Sequence, residues 1–341
     1  EAKKPLIIAG AGVLKSKASK ELFEYAEKMQ TPVATTLLGL GAFPESHELS
    51  LGMLGMHGTV PANYATDEAD LVIAAGIRFD DRIAGNPNKF IEKAKIIHID
   101  IDPAEIDKNK KADVPIVGDL KHVLTVINSE VKPQTHTEWV KKVNDWKKEY
   151  PLGHREVGED RLLPQEVLRA IDDILKGDTI IVTDVGQHQM WAAQYFTYQN
   201  PNSIVTSGGA GTMGFGLPAA IGAQIGAPDK KVVLIVGDGG FQMTLQELMM
   251  IKQYNLPVKV VILNNSYLGM VRQWQELFKD RRYSFVDLEI NPDFIKIAEA
   301  YGIKNAKLIN KEDLRTKLKD LILSDEGVLI ECVVEKEENV F

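Results

Sequence analysis

Short apolar runs separated by amphipathic stretches set the rhythm of this chain. Leu6–Ala9, Pro32–Leu38, Leu71–Ala75, Ile96–Ile101 and Pro115–Val117 are mostly apolar segments of strand length, as expected for strands buried on both faces. Between them, Ser19–Met29 places Leu22, Tyr25, Ala26 and Met29 on one helical face, with Ser19 as its cap, and Leu120–Val131 is a second helix. The rhythm resumes after Leu162. Thr179–Thr183, Ser203–Thr206, Val232–Val236, Val258–Leu263 and Val328–Val334 are expected strands, and Pro164–Leu175, Leu217–Ile225 and Thr244–Tyr254 expected helices. Strands alternating with helices predict the α/β class, with two doubly wound parallel-sheet domains.

The segment Lys132–Asp160 breaks the alternation. Pro133, Pro151 and Gly153 punctuate it, and Thr137–Tyr150 between them is charged, with Trp139, Val143, Trp146 and Tyr150 at helical spacing. This predicts a linker helix that packs its aromatic stripe on a domain. The expected boundaries are 1–132 for the first domain, 133–161 for the linker and 162–341 for the second domain.

Composition narrows the function. The 341 residues are 44% hydrophobic and 26% charged, with a net charge of −8. That describes an ordinary soluble globular protein and argues against a nucleic-acid partner. No apolar stretch reaches the roughly 18 residues of a membrane span. The single cysteine, Cys332, sits in a mostly apolar run and reads as a core thiol. No signal peptide opens the chain, which fits the cytoplasm, or an organelle after processing. A buried strand starts almost at residue 1, and the chain stops at Phe341 without a stop signal, so a fragment of a longer protein is expected.

Two segments carry the strongest chemical signal. Gly237-Asp238-Gly239-Gly240 ends one apolar run and Asn264-Asn265-Ser266-Tyr267 ends another. One helix-length segment lies between, so the two strands should be parallel neighbours, and Asp238 and Asn265 should converge at their carboxyl ends. A carboxylate with an amide oxygen, and glycines that admit a phosphate, suits Mg²⁺ bound to a diphosphate. The plain alternative is turn chemistry at two strand ends. Asp184-Val185-Gly186-Gln187-His188 also follows a strand; Gly186 frees backbone amides, and Gln187 and His188 are potential phosphate donors. Gly209-Ala210-Gly211-Thr212-Met213-Gly214 matches a dinucleotide fingerprint, but the acidic residue at the end of the next strand is Asp238, already assigned to a metal, which weakens that reading.

Gly-Asp-Gly followed at this distance by Asn-Asn resembles the diphosphate motif of thiamine-diphosphate enzymes. The resemblance implies that Asp238, Asn265 and the Tyr267 carbonyl bind Mg²⁺, and that Gly186, Gln187, His188, Gly239 and Gly240 hold the diphosphate. It also implies that the segment containing Gly211 approaches the middle of the cofactor, with Met213 propping it into a bent shape. The segments Gln189–Gln194 and Leu268–Gln275 are similar to catalytic subunits of acetohydroxyacid synthase (acetolactate synthase). By that likeness Leu268, Gly269, Met270 and Val271 contact cofactor or substrate, and Trp274 lines the entrance and favours the larger second substrate. Met213, Met270, Val271 and Trp274 are thus the candidate catalytic side chains, none of them a general base.

The first domain resembles the FAD-binding domain of the same family. The matching residues are Gly10, Ala11, Gly12, Thr36, Leu37, Leu54, Gly55, Met56, His57, Gly76, Arg78, Asp80, Arg82, Asp100, Ile101 and Asp119. Lys15 stands where a third fingerprint glycine would be. The flavin of this family serves structure rather than net redox. The implied reaction is a transfer: decarboxylation of pyruvate, then addition of the two-carbon unit to a second 2-keto acid, pyruvate or 2-ketobutyrate, in branched-chain amino-acid biosynthesis. Pyruvate oxidase and glyoxylate carboligase are the alternatives within the enzyme class, and a non-catalytic cofactor-binding module is the alternative outside it. The family implies a homo-oligomer, a dimer or tetramer, and a regulatory small subunit. It also implies an amino-terminal domain, supplying an activating glutamate from a partner subunit, and a closing tail beyond Phe341. Without these the fragment alone is expected to be inactive.

Overall fold

The computed structural model describes residues 2–340; Phe341, where the closing tail was expected to break off, lies outside them. The chain divides into two compact units. The first comprises residues 1–153 with 198–202, the second 154–197 with 203–341. Each is built on one six-stranded sheet.

In the first unit the strands are β1 (Pro5–Ala9), β2 (Val33–Thr35), β3 (Ser50–Met53), β4 (Leu71–Ala75), β5 (Lys95–Asp100) and β6 (Val114–Val117). They pair in parallel in the order β3-β2-β1-β4-β5-β6. Alternate side chains serve opposite faces. Leu6, Ile8, Val72 and Ala74 join one core, and Ile7, Ala9, Ile73 and Ala75 join the other with Leu22 and Leu124. The charged helix Thr137–Glu149 lays Trp139 and Val143 into the first of these cores, with Trp146 packed beside them. Tyr150 ends up outside that helix as its carboxyl cap.

The second unit contains β7 (Thr179–Thr183), β8 (Ile204–Thr206), β9 (Lys231–Gly237), β10 (Lys259–Asn264), β11 (Lys304–Leu308) and β12 (Val328–Val333), in the order β11-β12-β10-β9-β7-β8. All pairings are parallel. The order reverses between β7 and β9, so the loops leaving their carboxyl ends part there and open a crevice. The doubly wound class and the parallel neighbours β9 and β10 are as the sequence implied.

Local departures have local causes. The apolar run Pro32–Leu38 is a strand only to Thr35. Thr36 donates its backbone N–H to Ala9 (3.0 Å), and the chain then enters a tight turn over Leu37–Gly39. The stretch after β9 is not one helix. A helical turn starts at once at Asp238–Phe241, a 3₁₀ turn follows at Leu245–Glu247, and Leu248–Gln253 completes it. Ser19 does not cap its helix: Ala18 occupies that position, and the buried Ser19 hydroxyl has no partner. Among the described residues, no helix is long and apolar enough to cross a membrane.

Candidate functional site

The crevice of the second unit gathers residues from four strand ends. The loop and helix after β7 contribute Gly186, Gln187 and His188; the turn after β9 contributes Asp238, Gly239 and Gly240. The segment after β10 adds Asn265, Tyr267, Leu268, Gly269, Met270 and Val271, and Met213 comes from the loop after β8. Val185, Trp191, Gly237 and Leu263, assigned no site role from sequence, line the same pocket. Two expected residues stand outside the lining. Gly211 lies in the exposed loop before Met213. Trp274 sits one turn beyond Met270 on the helix Gly269–Phe278 and packs its ring 5.0 Å from that of Phe278.

Asp238 is 1% exposed, and its two oxygens differ. Oδ2 accepts from Asn291 Nδ2 at 2.7 Å, whereas Oδ1 is buried without a partner. Burial pushes its pKa up to about 6, against the hydrogen bonds from Asn291 and from the backbone of Gly239 and Ser266. A desolvated carboxylate with one unpaired oxygen facing a pocket has an unmet demand for a cation or a donor. Asn291, far along the chain, was invisible to motif reading.

Asn265 is oriented by its neighbours. Its Nδ2 donates to Gln187 Oε1 (3.2 Å), which leaves its Oδ1, accepting from the Tyr267 backbone N–H (3.2 Å), as the oxygen with spare lone-pair capacity. The role expected for the Gln187 side chain is corrected here. Its amide nitrogen donates to Gln273 Oε1 and to the Glu338 carbonyl, both at 2.9 Å, so its hydrogens are committed away from any phosphate. The Gln187 side chain positions Asn265, and only its backbone at the helix start remains for an anion.

His188 lies in the first turn of the helix Gln187–Tyr195 and is 6% exposed. Burial lowers its pKa to about 4, opposed by the nearby Asp184 carboxylate, so the ring is neutral at pH 7. Its Nε2 is buried without a partner. Gly186 makes this arrangement possible: a Cβ there would stand 2.8 Å from the imidazole. Asp184, named from the sequence only as the first residue of its segment, accepts from the backbone N–H groups of Val185, Gly214 and Gly216. A carboxylate at a strand end beside glycine-rich loops was the signal for it.

Among the described residues, no three His, Cys, Asp or Glu side chains gather as a metal cluster. A cation here would rely on one carboxylate with amide and carbonyl oxygens, a donor set suited to Mg²⁺ that shares its shell with phosphate. Two of the orphaned polar atoms on residues lining this pocket, Asp238 Oδ1 and His188 Nε2, fit a Mg²⁺-diphosphate group.

In the first unit the expected flavin residues all follow strand ends on the carboxyl edge of the sheet. Gly10 and Gly12 lie against the loop that follows β4. A side chain at either position would collide with the backbone of Gly76, so the glycines serve close packing of the two loops. Gly10 is the amino cap of a short helix, Ala11–Lys15. Asp80, Asp100 and Asp119 each spend an oxygen on a local backbone amide, of Arg82, Asp102 and His122. Arg78, Arg82 and Ile101 are exposed along that edge, and Thr36, Leu37, Leu54, Gly55, Met56 and His57 border it from β2 and β3. Burial, and after it the Arg82 charge, lowers the pKa of His57.

Comparison with known proteins agrees with this division. The thiamine pyrophosphate enzyme central-domain family matches residues 1–127, and the thiamine pyrophosphate enzyme C-terminal TPP-binding domain family matches residues 184–332. The chain is 50% identical to the acetolactate synthase large subunit of Lactococcus lactis, over 99% of this chain and 59% of that protein. It is 48% identical to the probable acetolactate synthase large subunit of Methanocaldococcus jannaschii, over 99% of this chain and 58% of that protein. It is 46% identical to the chloroplastic acetolactate synthase 2 of Nicotiana tabacum, over all of this chain and 53% of that protein. The chain therefore spans between half and three-fifths of the length of these curated relatives.

Proposed function

The chain belongs to the thiamine pyrophosphate enzymes, and from that premise we propose that it forms the central and diphosphate-binding domains of an acetolactate synthase catalytic subunit. The whole protein would decarboxylate pyruvate and transfer the two-carbon unit to a second 2-keto acid. The observation that carries the reading is the buried, unpaired Oδ1 of Asp238 beside Asn265, at the ends of two neighbouring strands.

Thiamine diphosphate, when bound, supplies the covalent chemistry. Asp238, Asn265 and the Tyr267 carbonyl would hold Mg²⁺. Gly186, Gly239, Gly240, the Gln187 backbone and the neutral His188 would receive the diphosphate. Met213, beside Gly239, would support the cofactor's bend. Met270 and Val271 would face substrate, and Trp274, outside the pocket lining, would act at the entrance if the helix or its surroundings adjust. The Trp191 side chain, 1% exposed, helps to exclude water from the pocket floor.

FAD as a structural group of the first unit rests on the likeness alone. The exposed Arg78 and Arg82 carry the charge that would offset its diphosphate. A homo-oligomer, a regulatory small subunit, and residence in the cytoplasm or an organelle complete the proposal, supported by the large-subunit and chloroplastic names of the relatives.

Calorimetric titration with thiamine diphosphate, with and without Mg²⁺, on wild type and Asp238→Ala tests the site. Mg²⁺-dependent binding that the substitution abolishes is expected. Equal binding by both proteins would overturn the assignment of Asp238.

A further inference from the structure

Asp238 does not hold its orientation alone. Its Oδ2 accepts from Asn291 Nδ2 at 2.7 Å, and the same amide lies 3.4 Å from Asn264 Oδ1. Asn264 Oδ1 also accepts from the Ser266 backbone N–H at 3.0 Å. Ser266 has a left-handed φ of 55°, unusual for a residue with a Cβ, so the turn beside Asp238 is held in a conformation that Asn264 Oδ1 stabilises. Asn264 therefore has its oxygen on three donors, the Ser266 hydroxyl at 3.4 Å being the third, and one of them, the Asn291 amide, is the donor to Asp238.

An amide side chain can turn over and exchange oxygen for nitrogen with little change in shape. What prevents this at Asn264 is Glu331 on the neighbouring strand β12. Its Oε1 accepts from Asn264 Nδ2 at 2.8 Å, and Glu331 is only 3% exposed. The buried carboxylate accepts hydrogen bonds and cannot donate one while ionised, so it fixes the nitrogen of Asn264 inward and the oxygen outward. Lys307, at 3.2 Å from Oε2, supplies a compensating charge.

We propose that Glu331 is a positioning residue for the cation site, acting through the fixed amide of Asn264 on Asn291 and the Ser266 turn, and so on Asp238. The inference rests on the reading of Asp238 as a metal ligand. It assigns a functional reason to a charged residue buried in a strand that otherwise reads as core.

The relay has a polarity that can be reversed. In Asn264→Asp, two carboxylates face each other and the contact is lost. In Asn264→Asp combined with Glu331→Gln, the glutamine amide donates to the new aspartate, whose other oxygen still faces Ser266 and Asn291. Net charge is then the same as in the wild type. Mg²⁺-dependent thiamine diphosphate binding should be measured calorimetrically on the full-length wild type, both single variants and the double variant. Asn264→Asp should weaken Mg²⁺ binding by about tenfold or more, the range found when ligand-orienting partners are removed, and the double variant should recover most of the loss. A double variant as weak as Asn264→Asp, or an Asn264→Asp protein that binds like the wild type, would overturn the proposal. The Asn291 side-chain amide resonances in the ligand-free protein give a second reading that needs no cofactor. They should shift in Asn264→Asp and return in the double variant; resonances that do not move would also overturn it. Wild-type protein that fails to bind Mg²⁺ would sink the metal-site reading, while these resonances would still decide the relay.

Discussion

Asp184 Oδ2 accepts the backbone N–H of Gly216 at 2.7 Å, tying the end of β7 to the start of the helix Gly216–Gly226. Its other oxygen serves the N–H groups of Val185 and Gly214. The carboxylate is 1% exposed, so water cannot replace it. Asp184→Ala should therefore destabilise the second unit by about 2–4 kcal/mol, through several buried amides left without an acceptor. Asp184→Asn should cost less, because one oxygen remains. Denaturant unfolding of the three proteins checks the order; a loss below about 1 kcal/mol in the alanine variant would show that the amides find other partners.

The site should reduce the stability of the ligand-free protein, with opposite pH dependences from its two buried titrating groups. Asp238 has its pKa raised from 3.8 to about 6. The folded state thus holds a proton that the unfolded chain releases earlier, and stability falls as pH rises from about 4 to 6. At pH 7 the penalty is on the order of 3 kcal/mol. Asp238→Asn should remove it, making the ligand-free variant more stable than wild type at pH 7 and no more stable below pH 4. His188 has its pKa lowered from 6.5 to about 4. The unfolded chain takes up the proton first, so this contribution is lost as pH falls from 6.5 towards 4. Unfolding free energies of His188→Asn across that range should fall less steeply with acid than those of wild type. Parallel curves for variant and wild type would refute each assignment.

The sheets could be read from sequence because strands buried on both faces appear as continuous apolar runs. β10 is buried throughout, and β9 along all but its two ends. Strands without that signal escaped. β3 carries Gly52, and β11, Lys304–Leu308, is an edge strand with only Leu308 buried. The site was legible as far as it follows strand ends, which places Asp238 and Asn265 together by topology alone. What organises those residues was not legible. Asn291 and Glu331 reach the site from distant segments, Gln273 sits within Leu268–Gln275 with no role marked by its type, and nothing in the local sequence tells which way an amide such as Gln187 will point. Gly10 and Gly12, which the sequence marked for a close ligand approach, also leave no room for a side chain against the backbone of Gly76, a packing demand the sequence did not reveal.

The charged helix Thr137–Glu149 should be a structural part of the first unit rather than a dispensable connection. Trp139 is 3% exposed, donates Nε1–H to the Pro5 carbonyl at 2.9 Å, and meets Trp146 edge-on at 5.9 Å. Trp139→Ala should cost about 3–5 kcal/mol, the range for removing a large aromatic from a core. Trp139→Phe should cost less, since it keeps most of the volume and loses mainly the hydrogen bond. Thermal or denaturant unfolding followed by circular dichroism distinguishes them. An alanine variant of wild-type stability would mean that the helix only rests on the surface.

Cys332 offers a report on the second sheet. It is the one cysteine of the chain, fully buried in β12 next to Glu331, and burial together with the Glu331 charge raises its pKa. The thiolate is the reactive form, so a group both buried and held protonated should not react with an aromatic disulfide reagent in the native protein. In denaturant one thiol per chain should react. Under native conditions the slow labelling rate then measures how often the sheet opens around β12. Removing the buried carboxylate by Glu331→Ala leaves the Asn264 amide unpaired and should raise that rate. Substituting the exposed Lys307, whose pair with Glu331 is partly solvated, should change it far less. Rapid labelling of the wild type would show that β12 is not the well-protected strand its burial indicates.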